Sequence, residues 1–279
     1  MPQHHADSGA LIPLITAGQT LVNKIDAPYA RAMHIVPVLV AAVYGAVAGL
    51  LLPSAAYRLA VPAGQPRRTT CPEKHVLAGW RGPARCRSCA AHATGRRARD
   101  APGVRTAAFA VTTGVLCGAL AAAAPSAGAV AAVAVTPVLV LLGWIDHVVH
   151  RLPDVLTLPL AAAVAVLLGA GAAVSHNLGP FTRALLAGLV LSGAYFLIFL
   201  INPSGIGFGD VKLALPLGML FGWHGWLFVA LGAFAGQLLA ALYGTVLVLS
   251  RHAGRSTRIA LGPFMITGGF VGILLGSWA

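Results

Sequence analysis

A chain of 279 residues that is 58% hydrophobic and only 9% charged, with a mean hydropathy of +0.82, has too little polar surface for a water-soluble domain. The formal charge of +12 invites a nucleic-acid reading. Its basic residues, however, sit between apolar segments and are not interleaved with aromatics as a stacking platform requires, so no nucleic-acid partner is expected.

In chain order, residues 1–32 lack a basic region followed by a long apolar core, which argues against a cleavable signal and predicts a loosely ordered tail. Residues 33–60 then form the first apolar span. Residues 61–104, rich in Arg, Pro and Gly, read as a small cytoplasmic loop domain with too few residues for much of a core. Residues 105–279 hold seven further apolar stretches: Thr106 to Ala124, Ala127 to Ile145, Val155 to Val174, Thr182 to Ile201, Val211 to Phe221, Trp226 to Leu249 and Ile259 to Trp278. A span needs about 20 apolar residues. The expectation is therefore an all-α polytopic membrane protein with about eight transmembrane helices, the sixth short enough to be broken or partly re-entrant.

Charge asymmetry orients these spans. With the N-terminus outside, 16 of the 19 Lys and Arg fall in four inner segments, Arg58 to Arg105, Asp146 to Asp154, Asn202 to Lys212 and Arg251 to Arg258. The eleven basic residues of the first segment suit contact with anionic lipid headgroups.

Acidic residues are the scarce type. There are seven, and only Asp146, Asp154 and Asp210 serve the chain after Pro102, each at an inner end of an apolar stretch. Ionisable groups at membrane depth are costly and mark function by default. Asp154, just before a helix, suits capping or loop orientation. Asp146 closes the third span ahead of a turn that Pro153 enforces. Asp210 follows Gly205, Gly207 and Gly209, a loop that permits close approach of another chain. Two carboxylates in a poorly solvated site share a proton and titrate as a unit. One then activates water while the other polarises a scissile carbonyl, with no metal and no covalent nucleophile. The chain has neither a Gly-x-Ser-x-Gly elbow nor a His-Glu-x-x-His helix, so serine and zinc mechanisms fit poorly. Lys212 could tune the pair, meet acidic substrate groups or simply snorkel as an inner-side lysine, and His147 and His150 read as interfacial histidines that could also contact substrate or Asp146.

These residues resemble the type IV prepilin peptidases, membrane aspartyl proteases of the Gly-x-Gly-Asp type. The matching stretches are Trp144-Ile-Asp, Leu152-Pro-Asp, Thr157-Leu-Pro, Gly207-Phe-Gly-Asp-Val-Lys-Leu, Tyr57-Arg-Leu and Leu261-Gly-Pro-Phe-Met. The resemblance implies cleavage of basic leader peptides from pilin-like or pseudopilin precursors at the cytoplasmic face of the inner membrane. It makes Asp146 and Asp210 catalytic, with Asp154, Gly207, Gly209 and Lys212 in support. Family members often carry two Cys-x-x-Cys pairs in the first loop, a spacing suited to structural zinc. Here Cys86-Arg-Ser-Cys89 is one pair, while Cys71-Pro-Glu-Lys74 lacks its second cysteine. His75 could complete a set with Cys71, Cys86 and Cys89, and His92 is a less well placed substitute. Many relatives also methylate the new amino terminus with S-adenosylmethionine. Arg96-Arg-Ala-Arg-Asp100 replaces the run associated with that activity, so methyl transfer is not assigned. Two other readings use the same carboxylates: a presenilin-like protease with its pair deep in the bilayer, and a proton-coupled transporter.

Overall fold

The computed structural model describes residues 11–62, 64–77, 79–84, 86, 88–89, 106–123, 126–203, 205–250 and 260–276, with backbone alone for 11–34 and 275–276. Among these residues the regular structure is helical: α1 (Leu11–Leu59), α2 (Thr106–Ala123), α3 (Ala127–Val149), α4 (Asp154–Val174), α5 (Gly179–Ile201), α6 (Phe208–His224), α7 (Trp226–Leu249) and α8 (Gly262–Gly276). The only strand-like feature described is an isolated antiparallel bridge between Thr70 and Val76. The chain is a polytopic all-α membrane protein. Among the described residues, six helices are long and apolar enough to cross a bilayer, Ile35–Leu59 of α1 together with α2, α3, α4, α5 and α7.

One expectation needs correction. The first helix begins at Leu11, not near Met33, so most of the segment read as a loose tail has helical backbone. Residues 11–32 are rich in Ala, Leu and Ile, which favour helix. Pro13 falls in the first turn, where its missing N–H breaks no intrahelical bond.

Burial follows the division between lipid-facing and central helices. Val166, Val174, Leu189, Leu197 and Val246 stand exposed on the outer helices, where hydrocarbon would solvate them. The interior is a cluster built on Leu139, Leu142, Val164, Leu168, Leu213, Leu220 and Phe221, contributed by α3, α4 and α6. Helix α6 has only 17 residues, and most of them, from Asp210 to Gly222, are buried. A short helix is tolerated at membrane depth when protein surrounds it. Both central helices, α3 and α6, carry an aspartate at the same end of the bundle.

That end is closed by a ribbon that follows α1. Ser54, after Pro53, donates its N–H to Gly82 and its hydroxyl to the Gly79 carbonyl, at 3.0 and 3.2 Å. Buried Arg58 donates to the Leu77 carbonyl at 2.7 Å and lies 5.1 Å from the Trp80 ring centroid. Arg151, between α3 and α4, donates to the Pro62 carbonyl at 3.2 Å. The opposite end is tied by Arg183, which donates to the carbonyls of Gly222 and Trp223 at the C-terminus of α6. Those carbonyls lack intrahelical partners.

Candidate active site

Asp146 lies in the last turn of α3, and Asp210 is the third residue of α6. Both are buried, at 5% and 7% exposure, and they are near enough to act on one another electrostatically. Burial of two like charges side by side is unfavourable unless the pair retains a proton.

Among the described residues, each carboxylate accepts one backbone N–H. Gly262, at the start of α8, donates to Asp146 Oδ2 at 2.9 Å. A Cβ at that position would lie 2.7 Å from the same oxygen, so the close approach needs glycine. Gly207 donates to Asp210 Oδ2 at 3.1 Å, while Asp210 N–H donates back to the Gly207 carbonyl at 3.0 Å. This reciprocal cap seats the carboxylate at the helix N-terminus, where the backbone dipole favours negative charge. Both bonds fall on Oδ2, and no hydrogen bond to either Oδ1 is seen among the described residues.

The loop joining α3 to α4 brings the two elements together. His150 ends α3 in the left-handed conformation, with its N–H on the Asp146 carbonyl at 2.8 Å. Leu152 is buried, and a Cβ added at Gly209 would come within 2.9 Å of the Leu152 Cβ. The glycine before Asp210 therefore serves packing between two protein segments. The chain that approaches this glycine is the protein's own Leu152 segment.

Asp154 is placed differently from the expected cap. Pro153 is the N-cap residue of α4, without a side-chain capping bond, because proline opens the helix and puts Asp154 inside the first turn. Its carboxylate instead pairs with Lys212 Nζ at 2.7 Å. Lys212 also lies 4.8 Å from the Phe208 ring centroid. His147 and His150 are both near enough to Asp146 to act on it electrostatically.

Two nearby groups escaped the sequence reading as site residues. Gly262 belongs to a stretch that contributed to the resemblance, but its N–H reaches Asp146 across 116 positions. Tyr195 is buried on α5, interacts electrostatically with Asp210, and lies one turn after Ser192, whose hydroxyl donates to the Val211 carbonyl at 2.9 Å. A lone tyrosine among the apolar residues of that span was the available signal.

The cysteine ribbon forms a second cluster. Ligand atoms of Cys71, His75, Cys86 and Cys89 all lie within 4.8 Å of one another. The turn responsible is tight. Cys71 N–H donates to the His75 carbonyl at 2.9 Å, Lys74 N–H donates to the Cys71 carbonyl at 2.9 Å, and Lys74 takes positive φ. Cys71 Sγ stands 3.6 Å from His75 Nδ1 and 3.7 Å from Cys89 Sγ, and His75 Nδ1 stands 3.3 Å from Cys89 Sγ. Zinc–sulfur bonds of about 2.3 Å set in a tetrahedron imply sulfur–sulfur edges of about 3.8 Å. These donors therefore fit a tetrahedral Cys3His site. The Cys89 backbone N–H holds the Cys86 thiol down at about 7, whereas hydrogen bonding to Cys86 raises the Cys89 thiol to about 12. His92 and the Arg96–Asp100 run lie outside the described residues.

Residues 133–247 match the model of the type IV leader peptidase family. A Burkholderia pseudomallei protein named prepilin leader peptidase/N-methyltransferase is 32% identical over 235 residues, covering 80% of this chain and 70% of its own length. Proteins of the same name from Aeromonas hydrophila and Pseudomonas aeruginosa are 36% and 32% identical, covering 55% and 47% of this chain. The chain spans about half the length of the Aeromonas relative, at 52%. No solved structure matches.

Proposed function

Because this chain belongs to the type IV leader peptidase family, we propose that it is an aspartyl endopeptidase whose acid–base pair is Asp146 and Asp210. The observation that carries the reading is the pair itself, two buried carboxylates from separate helices, mutually interacting and each anchored by a backbone N–H. In the working state one carboxylate is ionised and removes a proton from an attacking water. The protonated partner donates to the carbonyl oxygen of the scissile peptide, and the proton then passes to the departing amine. Proteolysis on this scheme needs no cofactor.

The substrates we propose are pilin-like or pseudopilin precursors with a basic leader, cut at the cytoplasmic face of the inner membrane. Three observations support this assignment: the names of the relatives, the inward bias of Lys and Arg, and the position of both aspartates in terminal turns. A presenilin-like pair would sit in mid-helix, so the terminal positions favour cleavage at the membrane surface. A transporter would use the same groups as a proton relay, but the family match favours hydrolysis.

We further propose that Cys71, His75, Cys86 and Cys89 hold a structural zinc ion, which would cross-link the ribbon against the end of α1. Methyl transfer from S-adenosylmethionine is not part of the proposal.

Purified protein in detergent and phospholipid, incubated with a leader-bearing precursor, tests the peptidase reading. Asp146→Asn or Asp210→Asn should abolish cleavage while the protein still accumulates in membranes. Full processing by either variant removes the assignment.

A further inference from the structure

We propose that Lys212 and Asp154 are positioning residues whose ion pair straps together the two segments carrying the catalytic carboxylates; the inference rests on the proteolytic reading above. Asp146 belongs to a unit made of the end of α3, the His147–Pro153 loop and the start of α4. Asp210 belongs to the start of α6. The two units are far apart along the chain, and the packing between them beside the dyad includes one apolar and one polar contact.

The first contact is apolar, with Leu152 lying directly over Gly209. The second is polar, with Lys212 Nζ 2.7 Å from Asp154 Oδ1. No other ion pair is present among the described residues. Asp154 sits in the first turn of α4, where the helix dipole favours a carboxylate, so it is a fixed anchor for the ammonium. The Phe208 ring borders the ammonium within α6 itself and limits its travel. Lys212 lies two positions after Asp210, which turns the two side chains about 200° apart around the helix. Lys212 therefore faces its partner at the rim, with 22% of its side chain exposed, while Asp210 faces the interior.

An ion pair whose carboxylate side chain is 59% exposed adds little to global stability. Its consequence is geometric, because a displacement of about 1 Å between reacting groups can cost about a hundredfold in rate. The strap should thus affect turnover and leave folding and substrate binding nearly untouched.

The test is steady-state cleavage of a leader-bearing precursor by purified wild type, Lys212→Met, Asp154→Asn, the double variant and Lys212→Arg, with thermal unfolding of each. We expect each single neutralising variant to lower kcat by about tenfold, part of the hundredfold that 1 Å can cost. KM should stay within about twofold and the unfolding midpoint should be unchanged. The double variant should lose no more than either single one, since both remove the same contact. Lys212→Arg should recover to within about threefold of wild type, because it keeps the charge. Multiplying losses in the double variant, a change confined to KM, or a wild-type rate in either single variant each overturn the strap. Cleavage by Asp146→Asn would instead overturn the peptidase reading, so the two failures are distinguishable.

Discussion

Substituting Gly209 with alanine probes the join between the two aspartate-bearing segments most directly. The added Cβ would stand 2.9 Å from the Leu152 Cβ and 3.4 Å from both Leu152 Cδ1 and its backbone N. Carbon atoms pack best at about 3.5–4.0 Å, so Leu152 must retreat by roughly 0.6–1 Å. Leu152 is buried and lies between Asp146 and Asp154 in the loop, so the retreat moves the segment that carries the first aspartate. Overpacking of this kind costs about 1–3 kcal/mol, partly offset by about 1 kcal/mol from the better helix propensity of alanine. The net loss of stability should therefore be about 2 kcal/mol or less. Activity should fall much further, by about a hundredfold if the carboxylates separate by about 1 Å. Precursor cleavage followed by gel mobility gives the rate, and thermal unfolding in detergent gives the stability. A Leu152→Gly substitution in the Gly209→Ala background, which removes the Cβ at 2.9 Å, should restore part of the rate. Undiminished activity in Gly209→Ala, or no recovery in the double variant, would refute the packing argument.

Two further outcomes are expected. Metal analysis of the purified protein should find about one zinc per chain, reduced strongly in Cys86→Ser and in His75→Ala, since a structural site needs four ligands. Chelation should expose residues 60–89 to protease, whereas full zinc content in Cys86→Ser would exclude the Cys3His set. Gly262→Ala places a methyl group 2.7 Å from Asp146 Oδ2. It should therefore displace either the carboxylate or its N–H donor and lower kcat by more than tenfold, and an unchanged kcat would show that this N–H does not orient Asp146.

The aspartates were legible before any fold was known because carboxylates are so rare in this chain. Seven in 279 residues, with three after Pro102, leave few candidates for chemistry at membrane depth. The proposed metal set was first suggested by the resemblance, through its paired-cysteine spacing, and the fold brings the ligand atoms of Cys71, His75, Cys86 and Cys89 within 4.8 Å of one another. Asp154 shows where local reasoning stops. An aspartate ahead of a helix reads as a cap, yet Pro153 takes that position and the carboxylate turns to Lys212, 58 residues on. Tyr195 and Gly262 carry no local mark that ties either of them to an aspartate.

Composition and hydropathy by themselves determined the bilayer as solvent and the order of the apolar helices, and the bias of Lys and Arg gave the expectation that the aspartates face inward. Each of these depends on properties that add up along the chain: apolar length against bilayer thickness, and the bias of fixed charge across it. Tertiary structure alone decided that Gly262 would reach back to Asp146, that Leu152 would need Gly209 bare, and that Lys212 would meet Asp154. Such contacts join helices distant in sequence, and they depend on how closely two backbones pack, which no single segment encodes.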